Sequence, residues 1–338
     1  MSNKIPSQSS ESDRHLTILI DTDCGIDDAQ ALIAALQDKK RTEIIAITTV
    51  SGNTGLDQAT FNVCACLDAV NQTDIPVFKG CSRPLVEPVR DAADWHGFDG
   101  LGESGLGELS NKSHIQEEHA VLAIIRLAKE YAKKDKRITL VTLGPLTNIA
   151  MAFRLDSNLS DYVEKIVIMG GAYAAHGNVT LCAEFNAHCD PESFAIVLEG
   201  FPRIQLVTWE LTLCSGLSQA FCNQWLNDST ITGRFLTKIS HHLLKVTEKH
   251  SEMSNEEYKR SGFYIPDPLA MSIACRPECI KLSRTRQIMV ELSTGHARGM
   301  TIVNQRTRGI EKHKMNVEII EQVDMSIVET FLLASTTS

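Results

Sequence analysis

Four aspartates stand within one short stretch, Asp21-Thr22-Asp23-Cys24-Gly25-Ile26-Asp27-Asp28. Like charges this close repel one another unless a cation or a donor-rich ligand offsets them. Carboxylate oxygens are hard donors of the kind that calcium takes. Gly25 permits the tight turn that folds such a loop back on itself. A simpler reading makes Asp27 and Asp28 helix-start acids, but Asp21 and Asp23 lie on the strand side and gain nothing from a helix dipole. A third reading is the DxD loop of aspartyl phosphatases, in which the first Asp attacks phosphorus. That chemistry calls for a Lys and further acids downstream, and no clear set is visible. Far along the chain Asp267 sits between Pro266 and Pro268, where on its own it reads as a turn acid.

The elements that must position these residues alternate in kind. Apolar runs at 16–20, 44–50, 137–143, 165–169 and 204–207 read as buried strands. Helical spacing covers 29–36, 56–70, 118–133, 146–154 and 191–198. The alternation predicts an α/β fold, an open, mostly parallel Rossmann-like sheet with helices on both faces. In such sheets ligands bind at the carboxyl ends of the strands, where the acidic loop lies. Residues 80–107 are rich in Gly, Pro and Asp and read as a long functional loop. The polar helical pattern at 221–258 adds a helical layer in the C-terminal half, followed by strands at 286–292 and 299–303 and a closing helix at 325–334. Residues 1–14 read as a disordered tail, and 15–338 as a single domain.

The chain has 338 residues, a net charge of −9 and 43% hydrophobic residues. An acidic surface argues against nucleic acid as a partner, because phosphate binding needs a basic stripe. No apolar stretch is long enough to span a membrane. The 10 cysteines are scattered, with no paired CxxC knuckles, so zinc is not expected and a cytoplasmic protein with reduced thiols is.

The acidic loop belongs to an ordered set. Thr48-Thr49-Val50-Ser51-Gly52-Asn53 follows the second strand, and His96-Gly97-Phe98-Asp99-Gly100-Leu101-Gly102 lies in the long loop. Leu143-Gly144-Pro145-Leu146-Thr147-Asn148-Ile149-Ala150 and Met169-Gly170-Gly171 follow later strands. Gly177-Asn178, Ala183-Glu184-Phe185-Asn186, Asp190-Pro191-Glu192 and Pro266-Asp267-Pro268-Leu269-Ala270 complete the series. Together, over nearly the whole chain, these motifs resemble the inosine-uridine preferring nucleoside hydrolases.

The resemblance implies hydrolysis of the N-glycosidic bond of ribonucleosides to ribose and free base. Such a bond breaks through a transition state with positive charge on the ribose ring, so nearby negative charge and a positioned water are needed. Asp23, Asp28, Asp267 and the carbonyl of Leu143 are the implied Ca²⁺ ligands, the ion also holding the ribose 2′- and 3′-hydroxyls and the attacking water. Asp23 is the implied proton acceptor, and Asn186 acts in catalysis as well as binding. Asp27, Asn53, Asn178, Glu184 and Asn186 are expected to grip ribose hydroxyls, with Phe185 beside them. Taken singly, each Asn reads as a loop or capping residue. His96 is either a surface histidine or a lid residue that reaches the substrate when the loop closes. Relatives are commonly homodimers or homotetramers, and assembly is expected here on that basis alone.

The chain departs from the family at two places. Many members carry a His directly before the late Asp, proposed to protonate the leaving base; here Pro266 stands there, and proline cannot donate a proton. Tyr264 and His241, with His242 beside it, are substitute candidates, and Trp95, Phe185, Trp209 and Phe263 are candidates to stack on the base. Cys24 occupies a position that is often proline; calcium prefers oxygen, so a packed thiol is its expected role. A Ca²⁺- and ribose-binding protein without catalysis is the alternative from another functional class.

Overall fold

The computed structural model describes residues 15–72, 74–227, 229–253, 263–306 and 315–336. The tail at 1–14 and the last part of the expected helical stretch, 254–258, lie outside the described residues.

The first half alternates as expected: β1 (Leu16–Thr22), α1 (Ile26–Gln37), β2 (Thr42–Thr49), α2 (Leu56–Ala69) and β3 (Val77–Lys79). Two short helices, α3 (Ala93–His96) and α4 (Leu106–Leu109), then interrupt the stretch read as one long loop. β4 (Ile115–Gln116), α5 (Ala120–Ala132), β5 (Ile138–Thr142), α6 (Thr147–Leu155), α7 (Leu159–Tyr162) and β6 (Val163–Met169) follow. The second half runs α8 (Phe185–Cys189), α9 (Pro191–Gly200), β7 (Ile204–Val207), α10 (Trp209–Cys214), α11 (Gln219–Trp225), α12 (Ile231–Met253) and α13 (Pro266–Cys275). It closes with β8 (Ile280–Arg286), β9 (Ile288–Val290), β10 (Thr301–Val303), β11 (Val317–Val323) and α14 (Met325–Ala334).

Nine strands form one sheet in the order β4-β3-β2-β1-β5-β6-β7-β11-β8, parallel throughout except for the edge strand β8, which runs antiparallel to β11. The strand order reverses at β1, which pairs with β2 on one side and β5 on the other. That crevice is the switch point where open α/β sheets bind ligands. Alternation along β1 divides the core: Ile18 and Ile20 pack toward α1, α2, α13 and α14, and Leu19 packs toward α5, α6 and α9. A layer of α10, α11 and α12 covers the first of these faces; Gln30 of α1 donates to Ser240 of α12 at 2.9 Å in the buried contact.

The late strands differ from expectation. The run at 286–292 is split between the end of β8 and β9, and β9 pairs with β10 as a separate antiparallel ribbon. β11 was not anticipated, because Glu318 and Glu321 break its apolar run. Glu318 accepts from Gln205 at 3.0 Å and Ser283 at 2.6 Å on the neighbouring strands, which allows a charged residue there. Among the described residues no helix is long and apolar enough to cross a membrane.

Candidate active site

Asp23 emerges from the end of β1 into a slot cut by two glycines. A Cβ on Gly52 would meet Asp23 Oδ2 at 2.0 Å, and one on Gly144 would meet its carboxyl carbon at 2.8 Å. The loops after β2 and β5 therefore need glycine at these positions. Asn53 fills the slot's remaining side, donating from its backbone N–H to Asp23 Oδ2 at 2.6 Å and from Nδ2 to Oδ1 at 3.2 Å. Cys24 takes a left-handed conformation, φ 33°, to turn the chain into α1, and its thiol is fully buried near Cys66. Strain of this kind is characteristic of functional loops.

Asp27 and Asp28 occupy the first turn of α1. Asp28 accepts from Gly25 N–H at 2.9 Å, from Asn53 Nδ2 at 2.9 Å and from the Thr22 hydroxyl. Asp267 reaches the same place from the first turn of α13, where Pro266 at the opening position suits a helix start. Carboxylate oxygens of Asp27, Asp28 and Asp267 lie within 4.8 Å of one another. All three side chains are buried, Asp27 Oδ1 has no hydrogen-bond partner, and among the described residues no Lys or Arg forms an ion pair with any of them. A buried cluster of oxygen donors without a Lys or Arg partner fits a hard divalent cation. Cys24 adds no competing soft ligand, since its thiol is turned toward Cys66.

The cluster's electrostatics follow from burial. Burial, reinforced by Asp28, pushes Asp27 up to about 8. Burial and the neighbouring acids hold Asp23 and Asp267 well above the usual carboxylate range. Asp21, one layer deeper, is pushed up to about 7 by burial, although Thr48 and Asn148 donate to it. A carboxyl raised in the folded state keeps a proton that the unfolded chain has already released above its ordinary value of 3.8. Folding stability of the cation-free protein should therefore fall as pH rises from about 4 toward 8, the window these two groups span. In chelator the melting temperature is expected to drop by several degrees between pH 5 and pH 8, and a divalent cation that fits the cluster should restore more of it at pH 8. A melting temperature independent of pH in chelator would contradict this account.

The pocket above the cluster gathers most of the expected residues: Asp27, Asn53, His96, Leu143, Asn178, Glu184, Phe185, Asn186, Trp209, Tyr264, Pro266 and Asp267 all line it. Asn186 donates from Nδ2 to the Leu143 carbonyl at 2.7 Å and to that of Met169 at 3.3 Å, which leaves its amide oxygen for a hydroxyl. Glu184 caps α8, accepting from Asn186 N–H at 2.9 Å and Ala187 N–H at 3.1 Å, and it also receives Gly171 N–H at 2.8 Å. His96 is 8% exposed and inside the pocket, not on the surface. Burial lowers its imidazole to about 4, so it stays neutral.

Three of the base-site candidates, His241, His242 and Phe263, are absent from the pocket lining. His241 is exposed on α12; its buried face runs through Leu236, Ile239, Ser240 and Leu243, and Leu243 is the residue of that helix that lines the pocket. Phe263 is 5% exposed in the core and exchanges backbone hydrogen bonds with Leu217, away from the pocket. Other residues were missed. Asn148 is fully buried and links Asp21, Thr49 and the backbone of Cys81. Asn62 joins the carbonyls of Cys24 and Asp99 at 3.0 and 2.8 Å. A polar amide inside an otherwise apolar helix pattern was the available signal for Asn62.

A parallel sheet with an acid-floored, partly aromatic pocket at its switch point describes an α/β enzyme for a hydroxyl-rich ligand. The profile of the inosine-uridine preferring nucleoside hydrolases matches residues 18–330. The enzyme of that name from Leishmania major is 34% identical over 293 residues, spanning 86% of this chain and 88% of its own. A plant nucleoside hydrolase of known structure superposes with a TM-score of 0.85 at 28% identity, covering 96% of this chain and 100% of that one. An inosine-guanosine nucleoside hydrolase superposes with a TM-score of 0.81 at 32% identity, covering 95% and 98%. The chain belongs to the inosine-uridine preferring nucleoside hydrolase family. It is a nucleoside N-ribohydrolase, which releases ribose and a free base from ribonucleosides, and the phosphatase reading is set aside.

Proposed function

We propose that this chain is a calcium-dependent ribonucleoside hydrolase in which Asp23, Asp28, Asp267 and the Leu143 carbonyl hold the ion and Asp23 accepts the water's proton. The observation that carries the reading is the meeting of Asp267 with Asp27 and Asp28, across some 240 residues of chain, in a buried carboxylate cluster with no basic partner. Asp27, which stands in the carboxylate group with Asp28 and Asp267 where Asp23 does not, is assigned to serve ion and sugar together. When bound, the cation supplies a polarised water and two sites for the sugar diol. Asn53 fixes the orientation of the Asp23 carboxylate, the group proposed to take the water's proton. Asn178, Glu184 and Asn186 orient the ribose, with Phe185 against its face.

Purine ribonucleosides are the proposed substrates. Pro266 provides no acid for the leaving base, while Trp209 and Tyr264 bring their rings to 6.1 Å at the pocket wall. Stacking against such faces favours a base that is becoming protonated. The inosine-guanosine preference named for one structural relative points the same way. A single domain over 15–338, a homodimer or homotetramer, and a cytoplasmic location complete the proposal; the ten free thiols suit a reducing compartment.

The test is a panel of purine and pyrimidine ribonucleosides scored for free base, with calcium, after EDTA, and after calcium is returned. Base release from purines that stops in EDTA and recovers with calcium is the expected result. Ribose binding without base release at any pH would favour a sugar-binding protein instead.

A further inference from the structure

The first turn of α1 carries Asp27 and Asp28, yet its N-cap is Gly25, which has no side chain to satisfy the exposed N–H groups. The Ile26 N–H is met from 70 residues away: it donates to His96 Nδ1 at 3.1 Å, in a buried contact. A Cβ on Gly25 would stand 2.8 Å from that Nδ1 and 2.7 Å from Asn53 Nδ2, so the bare glycine is what lets both side chains approach. The stretch that brings His96 in is itself fastened to the acidic loop. Asn62 bridges Cys24 and Asp99, and Gly102 N–H donates to the His96 carbonyl at 2.7 Å.

We infer that His96 is a positioning residue, a helix cap supplied in trans, which sets the geometry of Asp27 and Asp28 from the long loop after β3. An imidazole whose Nδ1 accepts a hydrogen bond carries its proton on Nε2. The 3.7 Å approach of Nδ1 to Asp27 Oδ1 is then a contact without a proton, and that oxygen stays available to a ligand. The remaining N–H of the ring is the donor His96 offers to a substrate oxygen in the pocket it lines. The inference rests on the proposed ion site, but its primary readouts do not require nucleoside turnover.

Two near-isosteres separate the two ends of the ring. His96→Asn places an amide oxygen near Nδ1 and keeps the cap but removes the Nε2 donor. His96→Gln places its amide near Nε2 and removes the cap. Calcium affinity by titration and amide exchange of the 26–28 segment are measured in both, alongside His96→Ala, with thermal melting to confirm folding. His96→Gln and His96→Ala should weaken calcium binding about fivefold or more and speed exchange at Ile26, the size of effect expected for losing a cap. His96→Asn should leave both within about twofold and raise KM while sparing kcat. Unchanged affinity and exchange in His96→Gln, or an Asn variant as impaired as Ala, overturns the inference. If the three variants order as stated while no ribonucleoside is cleaved, the cap stands and the proposed reaction fails.

Discussion

Asp23→Asn should give a folded protein whose turnover of ribonucleosides is lower by about 10⁴-fold. The expectation rests on the way the carboxylate is seated. Its slot is shaped by Gly52 and Gly144, and an asparagine of the same outline fits there without displacing either loop. The amide oxygen can still accept the Asn53 N–H that lies 2.6 Å from Oδ2 in the parent. The substitution removes the negative charge, the ability to take a proton and the acceptor for Asn53 Nδ2, which keeps its bond to Asp28 at 2.9 Å. In the proposed mechanism the first two matter at once, because the charge would help to hold the cation and the carboxylate would take the water's proton. Removing a buried carboxylate from a repulsive cluster also relieves destabilisation, so the cation-free variant should melt no lower than the parent. Folded protein with turnover within tenfold of the parent would remove Asp23 from the proposed role.

Asp23 and its neighbours were readable in the sequence for a physical reason. Four acids at a strand end have no inexpensive explanation other than an offsetting ligand, and the first strand, helix and second strand that carry them show clear apolar periods. The parallel core from β1 to β7 follows from the same pattern, since strands buried on both faces are continuous apolar runs. What sequence could not supply was the closing of distance. Asp267 between two prolines resembles a turn acid, and only the packing of α13 against α1 brings it to Asp28. His241 and Leu243 are two residues apart and so stand about 200° apart around α12, on opposite sides; the spacing of Leu236, Ile239 and Leu243 marks the inward face and leaves His241 outside. The short strand β4 has two residues, too few for any period to show, and β11 was hidden by glutamates whose partners lie on other strands. His96 illustrates the same limit: its residue type announced chemistry, but its backbone partner at Ile26 is visible only in the fold.

Substrates lacking the 2′-hydroxyl should be rejected, with kcat/KM for a 2′-deoxyribonucleoside lower by about 10⁴-fold than for the matching ribonucleoside. Four of the groups proposed to face the sugar are buried, Asp27 at 7% exposed, Asn53 at 7%, Asn186 at 4% and Glu184 at 2%, whereas Asn178 is exposed. Burial makes discrimination steep. A hydroxyl that is absent leaves its partners without water to replace it, and an unpaired buried polar group costs far more than a missing contact at a surface. Asp27 is the sharpest case, since its Oδ1 lacks a hydrogen-bond partner within the protein and lies at the pocket floor. The loss should appear chiefly in kcat, because positive charge on the ribose ring strengthens these hydrogen bonds as the bond to the base breaks. Comparing inosine with 2′-deoxyinosine at saturating calcium measures the ratio directly. A deoxy substrate turned over within about tenfold of its ribose counterpart would mean that these buried groups do not hold the 2′-hydroxyl, and the pocket's polar floor would need another ligand to explain it.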